Sequence, residues 1–181
     1  MISFLILLLL AWNFYIGYRR GIILQAYYFA ASLISLGIAA LYYKQLAEVL
    51  TLWVPYSNAS EGASVTFFSS VGLFELDKVF YAGLSFFSLY VLAYLIFRLL
   101  GIFVHLVRLE RFDKPVFAYV SGGLAVLVSM LSFNLFFSIL AAVPVTAVQN
   151  FLTGSAVIRL LINFPLFSWI VSHFWIAAVL K

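Results

Sequence analysis

Apolar residues run in long blocks along this chain, and polar residues gather at the block ends. Met1 to Ile16 and Ile22 to Tyr43 are separated only by Gly17-Tyr18-Arg19-Arg20-Gly21. Val79 to Phe97 forms a third block closed by Arg98, and Val116 to Val143 a fourth, followed by Pro144 and then Gln149-Asn150. A bilayer-spanning helix needs about 20 apolar residues rising ~1.5 Å each. The pattern therefore predicts an all-α integral membrane protein, a four-helix transmembrane bundle with spans at approximately 1–17, 22–43, 79–98 and 116–143. Residues 1–181 read as a single membrane domain, with Leu99 to Val107 continuing as helix along the inner interface.

The charges orient these spans. Arg19 and Arg20 stand alone between two blocks, and burying either head group in hydrocarbon would cost ~2.5–3.5 kcal/mol on insertion scales. Arg108, Arg111 and Lys114 mark a second basic turn, whereas the connection from Lys44 to Lys78 also carries Glu48, Glu61, Glu75 and Asp77. Both hairpins place the basic turns in the cytoplasm and the N-terminus outside. Within the outer connection, Phe67, Phe68, Val71 and Phe74 recur at helical spacing and predict an amphipathic helix on the outer leaflet. Near the C-terminus, Ser155, Arg159 and Asn163 share one helical face before Pro165 restarts the helix. Residues 151–181 are expected to form interfacial or re-entrant helices, the alternative being a fifth span over 160–180.

Composition agrees with a membrane setting. Of 181 residues, 66% are hydrophobic and 9% charged, against about 25% charged in soluble domains. The net charge of +4 is scattered along the membrane edges, so nucleic acid is not an expected partner. Met1-Ile2-Ser3-Phe4 has no basic residue before its apolar stretch, so the first helix reads as retained rather than as a removable signal. The chain has no cysteine, and its two histidines, His105 and His173, are far apart. No metal site or cofactor is expected. No serine lies in a nucleophile elbow, and no nucleophile and base are spaced to meet, so an enzyme is not expected. Asn58-Ala59-Ser60 matches a glycosylation acceptor in form only.

Two sets of residues look positioned. Gly17 and Gly21 bracket the Arg19-Arg20 turn, and Gln25 is the one strongly polar side chain early in the second span. Arg20 and Gln25 are expected to form a structural cytoplasmic cluster with Asp113 and Lys114. Asp113 is a good N-cap ahead of Pro115, or else a partner for Arg20 or Arg111. In the fourth span, Ser121, Ala125 and Ser129 recur every four residues beside Gly122 and Gly123. Small residues at that spacing let helix backbones approach closely, within the chain or between copies.

Gly17 through Gln25 resembles the G-[FY]-x-R-G-x-x-x-[EQ] signature of the CvpA (colicin V production protein) family. Leu109-Glu110-Arg111-Phe112-Asp113-Lys114 is similar to that family's Asp-Arg turn before a helix with regularly spaced glycines, and Ser155 to Pro165 is similar to its Ser…Pro segment. Lys114 stands where the family usually has arginine, and Phe117 takes the first glycine position. The resemblance implies a multi-pass protein of the bacterial inner or plasma membrane, associated with production of a secreted bacteriocin (a toxin) and with cell-envelope physiology. The expected function is non-enzymatic support of bacteriocin secretion or envelope homeostasis, with the lipid bilayer, further copies or other envelope membrane proteins as partners. The alternative is a small oligomeric channel or transporter, along which Ser132 and Asn134 could line a path.

Overall fold

The computed structural model describes residues 1–56, 65–68, 71–72, 75–106 and 115–176. Most of these residues lie in helices, with no strand among them. The helices are α1 (Ile2–Arg20), α2 (Ile22–Trp53), α3 (Leu76–Leu106), α4 (Pro115–Ala141), α5 (Thr146–Thr153), α6 (Ala156–Ile162) and α7 (Pro165–Val171). A π-helical turn, Ser172–Ile176, follows α7. Four of the helices, α1 to α4, are long and apolar enough to cross a membrane. A helix satisfies its backbone polar groups internally, which lipid cannot do for it.

The helix ends have identifiable causes. Gly21 alone separates α1 from α2, with φ of 93°, a conformation that glycine adopts without steric cost. Pro115 and Pro165 open α4 and α7, where a missing N–H costs nothing. Helix α2 runs ten residues past Tyr43 and ends just before Pro55. The basic and aromatic residues at Tyr43-Lys44 therefore do not end the helix. A charge limits how far a chain can sink in lipid, whereas stopping a helix takes a residue that breaks its hydrogen-bond ladder.

The outer amphipathic helix needs correction. The described residues 65–68 and 71–72 form bends and irregular backbone rather than helix, with Val65, Phe68 and Val71 buried. Residues 69–70 and 73–74 lie outside the described residues, as do Asn58 to Ser60. At the C-terminal end, α6 and the α7–π segment form a pair bent by 59°, by length and composition either a broken span or a re-entrant loop.

Two compact units are evident, residues 1–38 with 89–132, and residues 39–88 with 133–181. In the first, α1 meets α4 at glycine positions. A Cβ on Gly17 would lie 2.5 Å from Ala125 Cβ and 2.8 Å from the Ser121 carbonyl oxygen, and one on Gly122 would lie 2.6 Å from the Phe14 ring. Ser121 Oγ donates to the Gly17 carbonyl at 2.6 Å, and Tyr27 donates to the Phe97 carbonyl at 2.9 Å. The buried Tyr90 hydroxyl bonds Ser32 on α2 at 3.0 Å and Ser132 on α4 at 3.2 Å. Three helices are thus joined through one phenol.

The second unit is organised around Trp175. Its fully buried indole donates to the Val79 carbonyl at 2.9 Å and stacks on Phe86. Gly83 leaves the space that this indole fills. Tyr81 donates to the Val54 carbonyl at 2.6 Å, and Tyr56 to that of Ala142 at 2.8 Å. Gln149 accepts from the Thr66 N–H at 3.1 Å and donates to the carbonyls of Ala141 and Val143. Ser155, buried, is the N-cap of α6 and accepts from the Ile158 N–H at 3.3 Å.

Candidate functional site

In the first unit, the end of α1 brings its basic residues to the beginning of α2. Arg19 is exposed, while Arg20 is half-buried and its Nη1 reaches Gln25 Oε1 at 3.4 Å. Gln25 itself is buried, four residues into α2. The Arg20 guanidinium lies over the Tyr28 ring, 4.7 Å from its centroid, a favourable cation–π distance. Arg98 of α3 approaches the same ring at 5.9 Å. Gly101 on α3 makes room for Tyr28, since a Cβ there would lie 2.7 Å from the tyrosine oxygen.

Of the residues expected in one cluster, the structure brings two together. Arg20 and Gln25 meet, and Gly21 supplies the reversal between their helices. Gly17 belongs to a different feature, because it sits inside α1 and serves the contact with α4. Asp113 and Lys114 lie outside the described residues. Pattern reading missed Tyr28 and the approach of Arg98, because neighbours on separate helices leave no local spacing to find.

The small-residue stripe divides likewise. Ser121, Gly122 and Ala125 face α1 within the chain. Ser129 Oγ donates back to the Ala125 carbonyl at 3.0 Å. Gly123 has nothing within 4 Å of where a Cβ would stand, so it takes no part in a close helix contact. On the C-terminal stretch, Ser155 is buried, whereas Arg159 and Asn163 are exposed. The three do not form a common polar surface.

In the second unit, Asn134 of α4 serves the break between α6 and α7. Its Nδ2 donates to the carbonyl of Leu161 at 2.8 Å and approaches that of Ile162 at 3.4 Å. A helix end leaves such carbonyls without intrahelical partners, and Asn134 supplies a donor where lipid would not. Its Oδ1 is buried without a hydrogen-bond partner, as are the Tyr43 hydroxyl and Asp77 Oδ1 in the same unit. Tyr56, outside the long helices, has its hydroxyl pushed up to about 12 by burial first, then by the negative charge of Asp77 and by Tyr81. Among the described residues no group of three or more His, Cys, Asp or Glu side chains could hold a metal ion.

The sequence profile of the family described as "Colicin V production protein" matches residues 2–165. The "Uncharacterized transmembrane protein YshB" of Bacillus subtilis (strain 168) is 28% identical over 181 residues, covering 97% of each chain. No solved structure matches.

Proposed function

Since the chain belongs to the colicin V production protein family, we propose that this multi-pass membrane protein supports bacteriocin production or envelope homeostasis through partner membrane proteins, without chemistry of its own. In this reading its N-terminus is outside and its basic turns face the cytoplasm. One observation carries the proposal: in the first unit, side-chain hydrogen bonds join helices to one another. Ser121 fastens α4 to α1, and Tyr90 links α2, α3 and α4. A unit fastened in this way, with many exposed apolar side chains, suits a component recognised laterally by other membrane proteins. Photocrosslinking in native membranes from Trp12 and Trp169, both exposed, tests this. Reproducible adducts with other membrane proteins are expected; self-adducts or lipid adducts alone would overturn it.

A second reading, a small channel or transporter, is favoured by the bent α6–α7 pair and the unpartnered Asn134 Oδ1 beside it. Broken helices with buried polar groups occur where membrane proteins bind or pass solutes. Ion or solute flux into proteoliposomes that Asn134→Leu abolishes would support this reading; absence of flux above empty vesicles would sink it.

A further inference from the structure

Arg20 and Arg98 come from different helices, yet both guanidinium groups approach the one Tyr28 ring, at 4.7 and 5.9 Å from its centroid. The two cations lie within electrostatic range of each other. The ring face attracts each of them, but it carries no net charge and cancels neither. Gln25 offers only a neutral amide oxygen. The acidic residues of this unit are Glu110 and Asp113, so its described part holds no carboxylate. Paired guanidinium forks beside an aromatic ring suit the oxygens of a phosphate.

The surroundings of Arg98 indicate how that phosphate arrives. Arg98 is itself exposed, and Leu95 and Ile102, one turn away on either side, are exposed apolar residues, as is adjacent Leu99. Such a face belongs against acyl chains, and an anion reaching Arg98 there would be one carried on them. We propose that Arg20 and Arg98, sharing the Tyr28 ring, bind the phosphate of an anionic phospholipid whose acyl chains lie along Leu95, Leu99 and Ile102. This goes beyond the partner-dependent role and does not rest on it.

Native mass spectrometry of the full-length protein, released from nanodiscs of phosphatidylglycerol mixed with phosphatidylcholine, tests the proposal. Wild-type protein should retain phosphatidylglycerol in preference, and Arg98→Gln should lower that retention about tenfold, the scale of one lost charge-assisted contact. Arg98→Lys, which keeps the charge but not the fork, should fall between them. Arg19→Gln should retain the lipid as wild type does, because the exposed Arg19 marks general surface charge rather than the paired site. Equal losses in Arg19→Gln and Arg98→Gln would overturn the proposal in favour of diffuse attraction. So would a several-fold gain in Asp113→Asn, which would identify a carboxylate of this chain as the natural counter-charge. Displacement of the lipid by millimolar inorganic phosphate would overturn the lipid as the source of the anion. Among the described residues the Arg98 side chain donates no hydrogen bond, and it lies exposed, so its variants are expected to fold, and an unchanged melting temperature in detergent checks this.

Discussion

The unit of residues 1–38 and 89–132 carries six basic residues against two acidic ones, whereas that of residues 39–88 and 133–181 carries four of each. The whole net charge of the chain thus belongs to one unit. Their internal construction differs as well. The first is made from stretches of long helices held by glycine contacts and by serine and tyrosine hydroxyls. The second includes three short helices and a π-helical turn, fitted around large aromatic side chains. Among the described residues, the three buried side-chain polar atoms without a hydrogen-bond partner all belong to the second unit. Regular helices that meet at small residues leave few backbone groups to satisfy; broken helices create such groups and need dedicated side chains to meet them.

Substitutions at key contacts can sharpen or break this contrast. The largest effect is expected from Trp175→Ala, which empties a fully buried site and removes the bond to the Val79 carbonyl. A loss of ~3–5 kcal/mol should appear in unfolding experiments in detergent. In the first unit, Gly17→Ala places a methyl group against Ala125 and the Ser121 carbonyl, at a cost of ~1–3 kcal/mol. Adding Ala125→Gly should restore part of that loss, and a double-mutant cycle measures how much. If both variants melt like wild type, the close α1–α4 contact is wrong.

Asn134→Leu removes the donor that serves Leu161 and Ile162 and should cost ~1–3 kcal/mol. Hydrogen exchange should rise chiefly in residues 156–176, and a uniform rise across both units would argue against a local role. The smallest effect is expected from Tyr56→Phe, which loses one bond to the Ala142 carbonyl, worth ~0.5–1.5 kcal/mol. Burial and the neighbouring Asp77 favour the neutral phenol in the folded state. Its contribution is intact below an unfolded pKa of about 10 and is lost as pH rises toward the folded value of about 12. Tyr56→Phe should flatten stability in that alkaline window relative to wild type.

The sequence pattern identified the four long helices because lipid imposes a length and polarity rule on each segment separately. Gly21, Pro115 and Pro165 were legible for the same reason, since backbone chemistry acts where the residue stands. The reach of α2 to Trp53 was not, because Lys44 lies exposed and its charge does not interrupt hydrogen bonding. Of the basic cluster, Arg20 and Gln25 are close in sequence and could be paired from it, whereas the approach of Arg98 to Tyr28 crosses between helices. Gln149 looked like the end of a span but bonds Thr66, 83 residues away. Trp175 and Val79 are 96 residues apart. Contacts of this range are created by the fold and have no signature in a local window.

The single-residue link at Gly21 also makes the N-terminal hairpin intolerant of changes in length. Each residue of a helix advances its azimuth by about 100°, and a one-residue link has no slack to absorb an insertion. One extra residue would turn the faces of α2 relative to Arg20, taking Gln25 and Tyr28 out of its reach together. The hairpin therefore reads its gene in phase: a deletion or insertion of one codon there acts on several contacts at once, where a point substitution would act on one.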